Sequence, residues 1–180
     1  MGLKNYAAAV LAGAALVATL KATAAPPASA PPAPATVLAD TRKALQVNYT
    51  DRDGAVSRKD VDGALGHYAP EFVGVGLAGK AHDLKEERAD FVKTFTTLNP
   101  RTSDIKTTID KLTLAKAKTE AAATVSRHGV LLIVDPQTKL NNVLVLDGTY
   151  QDTWAKRAGA WRLTREQTIS LKATMNGQPL

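Results

Sequence analysis

The residues able to do chemistry gather in the last third of the chain. The stretch DTWAKRAGAWRL, residues 152–163, holds both tryptophans, Trp154 and Trp161, around Lys156-Arg157-Ala158-Gly159. A hairpin loop with an odd number of residues sends the two rings to opposite faces. A four-residue loop, Lys156 to Gly159 with Gly159 in the left-handed position, sets Trp154 opposite Trp161. Leu144, Leu146, Tyr150 and Trp154 share one face of the incoming strand, and Trp161, Leu163, Ile169 and Leu171 share one face of the outgoing strand. Burying both sets on one side favours the four-residue loop. The same face then carries Asp152, Arg165 and Gln167, whereas Arg162, Thr164, Glu166, Thr168 and Ser170 form a polar face.

An acid and a guanidinium on an otherwise apolar face are costly to bury unless paired. Asp152 and Arg165 therefore read either as a structural ion pair or as a ligand anchor with Arg165 as donor. The sequence leaves both open. His128, on the strand before, has the parity of Ser126 and Thr124 and reaches Tyr150 in some registers. Its near-neutral pKa makes it the candidate general base, with Asp152 as the alternative base and Tyr150 as a proton donor. His67 and His82 receive no role. The three histidines lack H-x-H or H-E-x-x-H spacing, so no metal is expected, and no cofactor is implied. The absence of cysteine excludes thiol catalysis and Cys-ligated metals. No nucleophile elbow and no Gly-rich phosphate loop occur. The formal charge of +6 is scattered among acids instead of forming a stripe, which argues against nucleic acid as a partner.

The elements that must position these residues follow from periodicity. Lys4, the apolar run Ala7–Leu20 and Ala22-Thr23-Ala24 read as a signal peptide over residues 1–24, too short an apolar run for stable membrane insertion. The implied location is periplasmic or secreted. Residues 25–36, APPASAPPAPAT, read as an extended Pro/Ala spacer, leaving one folded domain over residues 37–180. Val37, Leu38, Thr41, Leu45 and Tyr49 mark a first helix, broken by Asp51-Arg52-Asp53-Gly54. Ser57 and Asp60 suggest a capping box for a short second helix carrying Val61, Ala64, Leu65 and Tyr68, ended by Ala69-Pro70. Residues 71–79 read as a Gly-punctuated edge strand or bend. Residues 83–98 form the clearest helix, capped by Asp83 and stopped by Asn99-Pro100. Residues 49–60 superficially match a calcium loop, but Tyr49 stands where the first oxygen ligand is required. From Thr102 the period becomes two, with strands over 102–115, 119–134, 143–156 and 160–173. The class is α+β, with three N-terminal helices packed on a strongly curved, mostly antiparallel sheet.

Three stretches carry a family resemblance: SRKDVDGALGHYAPEFVGVGLAGK (57–80), LKEERADFVKTF (84–95) and YQDTWAKRAGAWRLTREQTISLKATMNGQP (150–179). In order and spacing they resemble the nuclear transport factor 2-like superfamily, which includes ketosteroid isomerases, and within it an exported bacterial branch of unknown function. The resemblance implies a cone with an internal pocket, often within a homodimer. It places Tyr68 and Phe72, from the Tyr-Ala-x-x-Phe corner, with Tyr150, Asp152, Trp154, Trp161 and Arg165 as the residues expected around a small hydrophobic ligand. No complete catalytic set of the superfamily matches residue by residue. The leading expectation is thus a non-catalytic pocket module. An isomerase- or dehydratase-like enzyme and a structural oligomerisation domain are the alternatives.

Overall fold

The computed structural model describes residues 35–180 apart from Lys116 and Pro136. The expected signal peptide and the spacer up to residue 34 lie outside the described residues. Ala35 and Thr36, read from sequence as the end of the spacer, instead open helix α1, Ala35–Ser57.

Helix α1 runs straight through residues 51–54, where a break was expected. Its buried residues are Thr41, Leu45, Tyr49, Arg52, Asp53 and Ala55, one continuous helical stripe. Arg52 and Asp53 can extend that stripe inward because both find partners on the sheet, Glu166 and Thr107. Residues 49–57 of the calcium-like stretch are therefore helix. The chain leaves α1 through Lys59 at φ 61. Asp60, and not Ser57, caps α2 (Val61–Leu65), its Oδ1 accepting from Gly63 N at 2.9 Å.

Strand β1 (Tyr68–Val75) begins where the second helix was expected to continue, and β2 (Ala81–Asp83) folds back antiparallel on it. Helix α3 (Leu84–Leu98) has the anticipated ends. Asp83 and Glu86 form a reciprocal capping box, and Asn99 closes the helix in the left-handed conformation. Strands β3 (Thr102–Leu114), β4 (Glu120–Val134), β5 (Asn141–Arg157) and β6 (Ala160–Met175) form the expected meander, with β7 (Gln178–Pro179) paired to β6. The sheet order is β2-β1-β6-β5-β4-β3, and only β1 and β6 run parallel. Helices on a curved, mostly antiparallel sheet give the α+β cone.

The β5–β6 hairpin departs from the sequence reading in two ways. Its loop is two residues, Ala158 at φ 49 and Gly159 at φ 84, a primed turn matched to strand twist. Trp154 therefore opposes Leu163, and Trp161 opposes Lys156. An even loop still leaves both rings on the inner face, where both are buried. The second departure is in register, which slips between Thr149 and Tyr150 and between Thr153 and Trp154. Thr164 and Ile169 of β6 are thereby left as bulge residues, and each bulge reverses the alternation beyond it. Glu166 and Thr168 turn inward, Arg165 turns out, and Ile169 is 50% exposed. The uniform period of two assumed for β6 fails at these two points.

The inner face carries two apolar clusters. The larger joins Leu45 and Tyr49 of α1 with Phe72, Val125, Trp154, Trp161 and Leu163. The smaller joins Leu98, Leu131, Ile133 and Leu144.

Candidate functional site

Helix α1, extended past the expected break, aims polar side chains at the middle of the sheet. Tyr49, Arg52 and Asp53 lie at i, i+3 and i+4, so they share a face. Arg52 Nη1 meets Glu166 Oε2 at 3.0 Å, and Arg127 Nη2 of β4 meets the same oxygen at 3.0 Å. These two guanidiniums lower the carboxyl of Glu166 to about 2, overcoming the burial that would raise it. Arg127 Nε also reaches Thr107 Oγ1 at 3.3 Å. Its guanidinium lies 4.1 Å from the centre of the Tyr150 ring, a cation–π contact. Asp53 accepts from Thr107 twice, from the backbone N at 2.6 Å and from Oγ1 at 2.9 Å. Burial raises its pKa, and these bonds with Thr107 oppose the rise.

Behind this charged belt lies a fully buried chain. Trp154 Nε1 donates to the Tyr49 hydroxyl at 2.9 Å, and that hydroxyl donates to Asp152 Oδ2 at 2.6 Å. Asp152 is 0% exposed, and its Oδ1 has no partner. Burial first, and Glu166 directly across the β5–β6 pair second, raise its carboxyl from 3.8 to about 7. Asp152 thus pairs with Tyr49. The expected partner, Arg165, faces outward beyond the first bulge.

Between the belt, helix α3 and the concave sheet lies a cavity of about 310 Å³. Its apolar side is Val56, Phe91, Phe95, Ile105, Leu131 and Leu146. Its polar side includes Arg52, Asp53, Arg127, Glu166, Thr168, His82 and Glu87, and Tyr150 contributes to both. Two strand glycines make this arrangement possible. A Cβ on Gly148 would lie 2.6 Å from Tyr150 Cε2, and one on Gly74 would lie 2.1 Å from His82 Nε2. Only bare backbone leaves room for the Tyr150 ring beside Gly148 of its own strand and for the His82 ring beside Gly74 of the neighbouring β1. His82 is held further by Glu87 Oε2 at 2.7 Å and by the edge of Phe72 at 6.3 Å between ring centres. Its pKa is raised, chiefly by the Glu87 hydrogen bond.

Of the residues singled out from sequence, the structure brings Tyr150 to this cavity. Asp152, Trp154, Trp161, Tyr68 and Phe72 sit in the core behind it, with the Tyr68 hydroxyl buried and unpartnered. Arg165 is on the outer face. His128 does not approach Tyr150. Val125 and Arg127 take the inward parity of β4, so His128 points outward, 55% exposed, and its Nδ1 pairs with Asp147 at 2.7 Å in an open polar groove. Sequence reasoning missed Arg52, Arg127, Glu166, Thr168, His82 and Glu87. The strand glycines were the available signal for His82 and Tyr150, and the helical spacing of Tyr49, Arg52 and Asp53 was the signal for the belt. Among the described residues no group of His, Cys, Asp and Glu is arranged to hold a metal ion.

No family model matches the chain, and no curated protein matches it. Solved structures do. A scytalone dehydratase-like protein from Novosphingobium aromaticivorans superposes with a TM-score of 0.63 at 14% identity, over 76% of this chain and 89% of that one. A hexachlorocyclohexane dehydrochlorinase (LinA, type 2) gives 0.59 at 14% identity, over 81% and 92%. A nuclear transport factor 2-like protein of unknown function from Shewanella oneidensis gives 0.54 at 14% identity, over 70% and 96%. At this identity the likeness is one of fold.

Proposed function

Starting from the nuclear transport factor 2-like fold that the chain adopts, we propose that it is a small-molecule-binding module whose ligand sits in the cavity between α3 and the concave sheet. The observation that carries this reading is the cavity itself, open beside a charged belt and flanked by two rings seated on bare glycine backbone. A volume of about 310 Å³ is at the small end of ligand pockets. Phe91 and Phe95, whose ring centres are 5.8 Å apart, offer an aromatic wall for a flat apolar body. Native mass spectrometry of protein purified from its own cell tests the reading. A retained small molecule that is lost on Phe91→Trp, which fills the cavity, supports it. Protein that arrives empty and binds no member of an apolar fragment library refutes it.

A second reading, acid–base catalysis, is favoured by His82 on the cavity wall, since an imidazole held by a carboxylate in a cleft, with its pKa raised by that hydrogen bond, is suited to proton transfer. Two structural neighbours are named for a dehydratase and a dehydrochlorinase, and both names describe eliminations. On this reading His82 replaces His128 as the acid–base group. Turnover of a bound ligand that is abolished by His82→Gln, with binding retained, separates enzyme from binder. The proposal also keeps an exported homodimer, supported by the leader-like residues 1–24 and by the family resemblance. Sequencing of the mature N-terminus and sedimentation velocity test those two points.

A further inference from the structure

The charges around the cavity restrict what it can hold. Glu166 is occupied by two guanidiniums through one oxygen. Arg127 is committed to Glu166, Thr107 and the face of Tyr150. Both oxygens of Asp53 are taken by Thr107, and His82 and Glu87 hold each other. The remaining carboxylate, Asp90, is an exposed residue of α3 at the mouth, where water screens it. Three hydroxyls on the wall are unspent: the Oγ atoms of Thr168, Ser103 and Thr94 make no hydrogen bond within the protein.

A buried ion needs a counter-charge of its own, and a hydroxyl needs only a hydrogen-bond partner. We infer that the cavity selects an uncharged ligand, an apolar body carrying a hydroxyl or carbonyl group, and discriminates against carboxylates and amines of the same shape. This rests on the ligand-binding reading above and names the chemical class of its ligand. A carboxylate entering here would have to compete with Glu166 for Arg52 or Arg127, both of which Glu166 Oε2 already holds. An amine would have to take Glu87 from His82 or Asp53 from Thr107. A hydroxyl or carbonyl needs only Thr168, opposite Tyr150 on the neighbouring strand, or Ser103.

The test is a matched series on one skeleton: naphthalene, 2-naphthol, 2-naphthoate and 2-naphthylmethylamine, titrated calorimetrically against the full-length protein at neutral pH. The expected result is 2-naphthol binding at least about tenfold tighter than either charged analogue, since burial of an unpaired ion is the larger cost. Glu166→Gln removes the anion from the clamp and frees its cations, so 2-naphthoate should gain about tenfold. Thr168→Val tests the hydroxyl side without touching the clamp. It should lower the affinity for 2-naphthol severalfold relative to that for naphthalene. Charged and neutral analogues binding alike to the wild-type protein overturns the charge inference and leaves the binding reading intact. Failure of all four to bind overturns the binding reading, and the inference with it. Unchanged 2-naphthol affinity in Thr168→Val overturns the assignment of Thr168.

Discussion

Replacing Asp152 by asparagine tests the buried chain that backs the cavity. Asp152 is 0% exposed, receives one short hydrogen bond from Tyr49, and leaves Oδ1 without a partner. Its carboxyl is raised from 3.8 to about 7, chiefly by burial and then by Glu166. Because the folded state holds this proton more tightly than the unfolded chain, its stabilising contribution is complete below pH 3.8. It is lost as pH climbs through about 7. At about 1.4 kcal/mol per pH unit between those two values, the whole window amounts to roughly 4 kcal/mol. Glu166 works in the opposite sense. Lowered from 4.5 to about 2, it stabilises above pH 4.5, and that contribution, roughly 3 kcal/mol, is lost as pH falls through about 2. Wild-type stability should therefore peak near pH 4.5 and decline toward pH 8. In Asp152→Asn the amide oxygen can still accept from Tyr49, but no charge appears. The difference between the wild-type and variant curves isolates Asp152 from His82, whose raised pKa adds a slope of the same sign. Relative to its own value at pH 5, the variant should gain about 2–4 kcal/mol on the wild type by pH 8, about 6–12 °C in melting temperature. Urea titrations at half-unit pH steps measure this. A wild-type curve flat from pH 5 to 8, or a variant with the same slope, would sink the assignment of a buried carboxyl ionising near neutrality.

Other expectations follow from single contacts. Trp161→Ala should cost about 3–5 kcal/mol in chemical denaturation, because Trp161 is a large buried ring of the main cluster. Gly148→Ala places a Cβ 2.6 Å from Tyr150 Cε2, so it should lower stability by about 1–3 kcal/mol and abolish binding of cavity ligands in calorimetry. Ala158→Asn puts a residue tolerant of φ 49 at the first position of the β5–β6 turn, and a gain of about 0.5–1 kcal/mol should appear as a higher melting temperature. Hydrogen exchange should show that ligand binding protects residues 88–96 of α3 more than its capped first turn, since Phe91 and Phe95 line the cavity while Asp83 and Glu86 already fix that turn.

Most of the element order was legible because long strands with period-two patterning and a well-capped helix leave little choice. Helix α3 shows this best: its cap and its stop are local signals, and both hold. The site was less legible, for reasons that are themselves local. Arg52 and Asp53 look like a polar break until Glu166 and Thr107, more than fifty residues away, are known to meet them. Bulges at Thr164 and Ile169 exchange inside for outside along β6, and no residue type in that strand marks them. That is why Arg165 was read as inward and Glu166 as outward. On β4, His128 shares a face with Ser126 and Thr124, and without the neighbouring register the sequence could not say whether that face was the concave one.

The belt makes sense as architecture for the cavity and not as a source of stability. Arg52, Asp53, Thr107, Arg127 and Glu166 come from α1 and three strands and meet between the two apolar clusters. Apolar side chains of similar volume would be about as stable there, since desolvation cancels much of what a buried ion pair gains. They would also be free to relax into the empty space. A guanidinium fixed on Glu166 and Thr107 cannot do so without leaving a charge unpaired, and by lying on Tyr150 it presses that ring onto Gly148. The aromatic is thus held along the wall and kept out of the space it borders. A core built only for stability gains nothing from holding a space open, whereas a site for a small molecule depends on it.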